Sequence, residues 1–283
     1  MVSKRLRPLA VLFLLPACSI PGDAAWSDIH ASGFITAYPA GMDASARDIS
    51  VEDSSGAGLT FDGDLSMEKN RETSLYYGAR AGIAPFEISV SAFGYDGQHS
   101  SIVSGGATFR GVDLPITETL NARTDMDLGV SKLMLGVDVI NTPVFRIGLL
   151  AGVDFLDFDR FVVSSTEQVD VLGIPIVNIG DTQNILINES VPVPMIGVRG
   201  DVLLPFMDIR LGGELSGLTA NIDETDVTYM DLDININYAP WQNLELVLGY
   251  HRIDIDVSGS IDDTTIDVDM LIDGPYFGAA LYW

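Results

Sequence analysis

Apolar and polar side chains alternate along several segments of the chain, and a period of two is the pattern of a β-strand with one apolar face. The clearest segment is 145–155, whose odd positions are all apolar while its even positions include Arg146 and Asp154. The segments 208–216 and 230–238 repeat the pattern. Because an α-helix has a period of 3.6 residues instead, these segments predict β-strands.

Weaker alternation predicts further strands over 74–83, 87–96, 124–139, 195–204 and 243–252, with a first strand near 27–38 and a last one ending at Trp283. In 124–139 the alternation slips near Ser131–Leu133, which predicts a β-bulge. The total is about ten strands, and alternating strands of this kind are the signature of a transmembrane barrel. No later stretch has the roughly 18 consecutive apolar residues of a membrane-spanning helix. The sequence therefore predicts an all-β fold, a closed antiparallel transmembrane β-barrel, in which closure gives every backbone group a partner.

The connections between these strands are of two kinds. Four tight turns contain proline, at 84–86, 141–143, 205–207 and 239–241. Longer polar stretches lie at about 39–72, 97–120 and 157–190, with shorter ones near 220–226 and 257–265. Outer-membrane barrels have short periplasmic turns and long external loops, so both termini are predicted to lie in the periplasm. Aromatic residues near the short turns predict a girdle at the membrane interface, formed by Phe86, Phe145, Phe206, Trp241, Tyr276 and Trp283.

The N-terminus has the layout of a secretory signal, with basic residues followed by the apolar stretch 9–15. We interpret 1–24 as a signal peptide and 25–283 as the outer-membrane β-barrel. The segment Leu15–Cys18 instead resembles a lipobox, in which Cys18 would become the lipidated first residue. Ordinary cleavage is preferred because proline is uncommon in a lipobox, and it would leave a mature chain without cysteine.

The composition and net charge of the chain limit the classes of function that it can have. The chain has 283 residues and a formal net charge of −25, and such an acidic protein is not expected to bind nucleic acid. Its mean hydropathy is nevertheless positive, at +0.27. Apolar side chains in an acidic exported chain require a surface that faces lipid, so the bacterial outer membrane is the predicted location, with its lipid and lipopolysaccharide as partners.

The last strand resembles the C-terminal assembly signal of bacterial outer-membrane proteins. The matching positions are Tyr276, Gly278, Leu281 and Trp283, although phenylalanine is commoner than tryptophan at the last one. The resemblance implies delivery to the barrel-assembly machinery, which would recognise an unpaired strand edge.

The chain also resembles a family of small, largely uncharacterised proteobacterial outer-membrane β-barrel proteins. The similar stretches are 244–254, the aspartate-rich segment 262–273 and the end that follows it. The likeness extends over most of the mature chain, but only the terminal strand is a specific motif, and it implies no ligand, cofactor or activity.

One detail conflicts with a simple alternation. Asp267, Asp269 and Asp273 share odd numbering with Phe277, which is expected to face lipid. A change of phase near Gly274 would reconcile the two halves, since glycine and proline mark bulges. Otherwise these aspartates must project outside the hydrocarbon layer.

The positions predicted to face the lumen carry both signs of charge. They are Arg80, Lys132, Arg146, Arg199 and Arg210, with Glu87, Asp138, Asp154, Asp201, Glu214, Asp231, Asp233 and Glu245. A barrel of about ten strands is only slightly wider than its side chains can fill. We therefore expect a mostly occluded charged lumen, ion pairs that brace the wall, and a structural role or passive transport of small solutes, without a cofactor or bound metal. The protein is expected to be monomeric.

Two alternatives remain open. An outer-membrane hydrolase with a rim active site would use His251 with Asp254, or His99 with Asp96, but no nucleophile motif accompanies them, so a non-enzyme is expected. An adhesin-like binding module would instead bury the apolar faces in a soluble sandwich. The acidic clusters Asp223, Glu224 and Asp226, and Asp262, Asp263, Asp267 and Asp269, match no calcium-loop spacing and are interpreted as solvated loops that bridge weakly through divalent cations to lipopolysaccharide.

Overall fold

The protein is a barrel of ten long β-strands. A computed structural model describes residues 29–52, 59–109, 112–114, 120–166, 169–171, 174–177, 182–184, 189–204, 206–222, 225–241, 243–261 and 264–282. The barrel strands are β1 (Ile29–Glu52), β2 (Leu59–Ile83), β3 (Phe86–Phe109), β4 (Leu120–Asn141), β5 (Phe145–Ser165), β6 (Glu189–Leu204), β7 (Ile209–Ile222), β8 (Thr225–Trp241), β9 (Leu244–Ile261) and β10 (Thr264–Tyr282).

Each strand pairs antiparallel with the next one in the chain, and β10 pairs with β1 to close the barrel. The closing ladder runs from Ser32 opposite Tyr282 to Arg47 opposite Asp267. Short strands extend the wall beyond two of the long ones, since Val112–Leu114 pairs with β3 and Thr182–Asn184 with β5. Val169–Val171 and Ile174–Val177 form a separate two-stranded sheet. The predicted fold class is confirmed.

Among the described residues, no helix is long and apolar enough to cross a membrane.

A belt of exposed apolar side chains surrounds the end of the barrel that carries the short turns. All ten strands contribute to it, with Ile35, Leu75, Ile88, Leu135, Leu149, Ile196, Leu215, Ile236, Leu248 and Phe277 among its members. Aliphatic side chains at this density are stable only against lipid, and a closed barrel leaves no unpaired strand edge inside it. The belt therefore marks the membrane-spanning part.

The strands continue far beyond the belt. A strand crosses a membrane in about 9–11 residues, whereas β1, β2 and β3 have 24, 25 and 24 residues. The predicted first strand, 27–38, is therefore too short, and much of the predicted loops 39–72, 97–120 and 157–190 is strand instead.

These loop predictions were wrong because the pattern reverses where the strands leave the membrane. In the lower half of β9, Leu246 and Leu248 point outward and His251 points inward, but further along Asp256 points outward and Ile253 is fully buried inside. Outward positions face lipid in one half and water in the other. In β9 the alternation is unbroken, but the face that carries the apolar residues changes.

The same reversal explains why aspartates and Phe277 share the odd-numbered, outward face of the last strand. The β9–β10 ladder runs without a shift from Leu244 opposite Leu281 to Ile261 opposite Thr264, so the predicted change of phase near Gly274 is wrong. Asp269 and Asp273 lie on the outer face, while Ile272 on the same strand is buried inside. These aspartates project outside the lipid layer, as the second interpretation required.

The predicted bulge at Ser131–Leu133 is also wrong. Val130 and Met134 both point inward with Lys132 between them, so the alternation continues through this segment. The β4–β5 ladder shifts instead at Asp127–Leu128 and at Asp138–Ile140.

The predicted aromatic girdle is correct only in part. Phe86, Phe145, Phe206 and Trp241 are exposed near the short turns, whereas Tyr276 points into the lumen and is 3% exposed. Tyr276 is excluded from the girdle because it lies on the even, inward face of β10, where its hydroxyl donates to Asp233 at 2.8 Å. Trp283 lies outside the described residues.

Candidate functional site: the lumen

The lumen next to the short turns contains a network of buried ion pairs. Arg146 donates to Asp201 at 2.9 Å and to Glu87 at 3.0 Å, and Arg199 donates to Asp138 at 2.5 Å. These residues lie on the inward face near the short-turn ends of their strands, so the strands bring their charges to a similar level. We call this group, with Arg80 and His30, the charged network.

Glu87 lies at the centre of the charged network. Its carboxylate accepts from Arg146 and Arg199, lies 3.0 Å from Nε of Arg80 and contacts Nε2 of His30 at 2.8 Å. The side chain is 1% exposed, so water does not solvate the charge in place of these donors. A buried carboxylate with several cationic partners ties strands β1, β2, β3, β5 and β6 together.

A second group of charges lies one level deeper. Lys132 lies 2.7 Å from a carboxylate oxygen of Glu214 and 3.2 Å from one of Asp231, and Asp231 in turn accepts from His251 at 3.0 Å. Beside it, the Tyr229 hydroxyl donates to Asp154 at 2.5 Å. Near the short turns, Arg210 donates to Glu245 at 2.7 Å. The structure thus places every predicted lumen residue inside the barrel.

A cavity of about 130 Å³ lies between these charges. Its walls include Arg80, Lys132, Arg210, Glu214 and Asn235. This space is sufficient for a few water molecules and is well below the volume of a drug-sized ligand pocket. It is a small polar cavity.

Five aromatic rings close the lumen above this cavity. The rings of Tyr38, Tyr76, Phe93, His251 and Tyr276 contact one another, and the Tyr76 and His251 rings are stacked at 5.1 Å between centroids. Tyr38 is 0% exposed. We call these residues the ring cluster. Packed rings at this level leave no passage for a hydrated ion in the present conformation.

Above the ring cluster the barrel interior is apolar. Buried side chains from nearly all strands fill it, including Met42, Met67, Tyr95, Met126, Leu128, Leu156, Met195, Ile253, Met270 and Ile272. Methionine is unbranched and flexible, and it adapts its packing more readily than leucine or isoleucine. We call this region the apolar interior. It resembles the core of a soluble barrel and not a water-filled pore.

The candidate catalytic pairs do not form. His99 is buried and bonds to Tyr95 at 3.1 Å, whereas Asp96 points outward and pairs with Arg160 at 3.0 Å. Likewise His251 points inward while Asp254 points outward and pairs with Arg252 at 2.6 Å. Adjacent or odd-spaced strand positions face opposite sides of the wall, which separates the members of each pair.

The structure describes only part of the acidic clusters and of the C-terminal assembly signal. Among the described residues, no group of three or more histidines, cysteines, aspartates or glutamates could hold a metal ion. Tyr276 points inward and Leu281 outward on β10, which pairs with β1 and β9 along its length. The signal peptide with Cys18, the terminal Trp283 and the acidic residues Asp223, Glu224, Asp262 and Asp263 lie outside the described residues.

Sequence reasoning missed the ring cluster and the apolar interior. Some of their residues, such as Met42 and Met67, belong to a segment that was interpreted as a loop, and Tyr276 was assigned to the lipid-facing girdle, while the other rings lie in predicted strands but were not recognised as a cluster. The alternation that indicates a strand continues here with its apolar residues on the inward face, since Tyr38 and Met42 alternate with Pro39, Gly41 and Asp43. It could have been found by allowing the apolar face to change sides.

The overall fold is shared with known outer-membrane barrels. The outer membrane protease OmpT of Escherichia coli superimposes with a TM-score of 0.56 at 13% identity, over 90% of this chain and 97% of that one. OprG, an outer membrane protein of Pseudomonas aeruginosa, gives a TM-score of 0.38 at 11% identity, over 89% of this chain and 96% of that one. No protein-family model matches the chain, and no curated protein sequence matches it.

At these identities the similarity concerns the fold alone. Of these two structures, only OmpT is similar enough to support the assignment of the fold. It agrees with the closed sheet and the lipid-facing belt, which were established from the strands themselves. The chain is therefore an integral β-barrel protein of the bacterial outer membrane.

Proposed function

We propose that this protein is an occluded outer-membrane barrel with a structural role, which carries no open aqueous channel at rest. The observation that supports this most is the ring cluster, because it fills the lumen between the polar cavity and the apolar interior. The charged network would then brace the wall against the pressure of the surrounding lipid. Passive transport of a small solute would require side chains to move.

Single-channel recording in planar bilayers tests the proposal. Purified, folded protein should give no stable conductance steps, since hydrated ions cannot pass between packed rings. A conducting outer-membrane porin in the same bilayers provides the positive control, because it shows that the recording detects an open barrel. Large, stable steps from the unmodified protein would overturn the proposal.

A catalytic role has little support in the geometry. The fold is similar to that of the outer membrane protease OmpT, but the activity of that protein does not transfer to this chain at 13% identity. Here His251 is 3% exposed and His99 is 1% exposed, so neither ring can reach a polypeptide substrate. We infer a non-enzyme. Hydrolysis of a peptide library by the purified protein that is lost on His99→Ala or His251→Ala would contradict this.

The family and the partners are part of the same proposal. The terminal strand, with Tyr276, Gly278, Leu281 and Trp283, supports membership of the small proteobacterial outer-membrane barrels and recognition by the barrel-assembly machinery. The acidic outer wall supports weak contact with lipopolysaccharide through divalent cations. A monomer suffices, because a closed barrel needs no second chain to satisfy its strand edges.

A further inference from the structure

The barrel wall is interrupted between β2 and β3. The β2–β3 ladder stops after Met67 opposite Ser101 and resumes only at Tyr77 opposite Ala92. In contrast, the β9–β10 ladder is continuous over its full length. The interrupted segments, 68–76 and 93–100, form what we call the β2–β3 cleft. At about 3.3 Å per residue, the cleft is roughly 26 Å long.

Both strands are held on their other sides, so the cleft is not a frayed end. Within it, β2 pairs with β1, as with Glu72 opposite Ala40, and β3 pairs with β4, as with Phe93 opposite Val130. The gap therefore lies between two strands that are each hydrogen-bonded to their other neighbour.

Side chains bridge the cleft where backbone pairs are missing. Nδ2 of Asn70 donates to the Gln98 carbonyl at 2.7 Å, and the Tyr95 hydroxyl donates to the Asn70 carbonyl at 3.3 Å. Nδ1 of His99 lies 3.0 Å from the Glu68 carbonyl. Side-chain bridges of this kind can rotate away without unfolding a strand, whereas backbone pairs cannot.

Two residues show that the cleft is not fully sealed. Glu72 shares the inward face of β2 with Tyr76 and lies opposite the fully buried Ala40, yet Glu72 is exposed. The Ser74 hydroxyl in the same segment is buried without a hydrogen-bond partner. A buried polar atom without a partner costs free energy, so a bound molecule that supplied a partner would be stabilised there.

Space and chemistry define what the cleft would admit. A cavity of about 470 Å³ lies at its outer end, lined by polar groups that include Glu68, Gln98, His99 and Asn121. This volume falls within the range of small-molecule sites. Behind the cleft lies the apolar interior with Met42, Met67 and Met126, and Leu75 at the lower end of the cleft belongs to the lipid-facing belt.

We propose that the β2–β3 cleft is a lateral portal and binding site for a small neutral molecule with an apolar chain and one hydrogen-bonding group. The polar group binds the Ser74 hydroxyl, which has no partner in the protein, and the chain inserts between the methionines. This site goes beyond the structural role, since a neutral molecule enters sideways at the outer edge of the membrane without opening an ion path.

Thiol accessibility tests whether the portal is open. In a Cys18→Ser background, Glu72→Cys should react with a water-soluble maleimide about tenfold faster than Ala40→Cys, its cross-strand partner on the same face. The added change Tyr95→Phe removes one bridge and should increase the rate at Glu72→Cys further. Equal rates for the two cysteines would overturn the portal. A heat-modifiable gel shift confirms that each variant is folded.

Photolabelling tests the binding site. A photoreactive octanol with a diazirine on its chain is added to the full-length protein in lipid vesicles, and labelled residues are mapped by mass spectrometry. Label on Met67, Tyr95 or Met126 that excess unlabelled octanol removes is the expected result. Label only on belt residues such as Leu75 and Val90, or label that octanol does not displace, would overturn the site.

The two proposals fail in different ways. Conductance steps from the unmodified protein would contradict the occluded lumen and leave the photolabelling result unaffected. Loss of displaceable label inside the barrel would contradict the portal, whether or not the protein conducts.

Discussion

The two halves of the barrel use the same ten strands in opposite ways. In the membrane half, apolar side chains point outward to lipid and charged side chains such as Glu87 and Arg146 point inward. In the outer half, charged side chains such as Asp256 point outward and apolar ones such as Ile253 point inward. The same strands run through both halves. What changes is the solvent outside.

This difference shows that the medium outside the wall, lipid or water, determines whether polar or apolar side chains face inward. Lipid accepts aliphatic side chains, so the lumen of the membrane half receives the polar residues, and their charges must pair because water is scarce there. Water accepts charges, so the outer half packs an apolar core in the manner of a soluble barrel. The ring cluster lies where the two arrangements meet.

The largest effect is expected from breaking the charged network of the membrane half. Glu87→Ala leaves Arg80, Arg146 and Arg199 without their shared carboxylate, and an unpaired buried charge costs about 3–5 kcal/mol. The matched control is Asp254→Ala, which breaks an exposed pair with Arg252 on the outer wall and should cost about 0–1 kcal/mol. Urea unfolding in lipid vesicles measures both. Equal losses would mean that the network does not brace the wall.

The apolar interior of the outer half should also be sensitive to truncation. Ile253→Ala removes a side chain that is 0% exposed, and a cavity of this kind costs about 2–4 kcal/mol. Leu248→Ala on the same strand faces lipid, which fills the vacated space, so its effect should be smaller. If Leu248→Ala destabilised the protein more than Ile253→Ala, the outer half would not be packed as a core.

The boundary between the halves depends on a hydrogen bond. Tyr229→Phe removes the donor that lies 2.5 Å from Asp154, and a buried carboxylate that loses its partner costs about 1–3 kcal/mol. Tyr238→Phe, on the outward face of the same strand, is the control and should leave stability unchanged. A melting temperature for Tyr229→Phe equal to that of the unmodified protein would contradict a role for this bond.

The smallest effect concerns pH and the outer wall. Asp256 lies opposite Asp269, and partial burial together with repulsion from that carboxylate raises the pKa of Asp256. A raised carboxyl pKa in the folded state means that ionisation opposes folding, so this contribution to stability increases as the pH falls from neutral through the raised pKa. Asp269→Asn should therefore raise the melting temperature slightly at pH 7, and the gain should shrink on acidification. A gain that is independent of pH would contradict this pairing.

The sequence predicted the membrane half well because its alternation is strong and its turns contain proline. The inward placement of Arg146, Arg199 and Asp231 follows from the alternation of inward and outward positions along their strands. Which carboxylate each arginine contacts does not, since that depends on the stagger between strands.

The outer half was missed for a physical reason. Segments such as 39–52 have charged residues on one face and small or apolar ones on the other, which is also the composition of a loop. A search for apolar outward faces therefore ends at the membrane surface. The β2–β3 cleft has no sequence signature, because it depends on pairing between residues that are distant in the chain.

The central claim is that one set of strands faces lipid below and water above. Nitroxide spin labels at the outward positions of β9, from Leu246 and Leu248 through Arg252 to Asp256, test it directly in lipid vesicles. Access to oxygen, which concentrates in lipid, should dominate at Leu246 and Leu248, and access to a water-soluble nickel complex should dominate at Asp256, with the change near Arg252. Nickel access that is uniformly high along the whole strand would contradict the account.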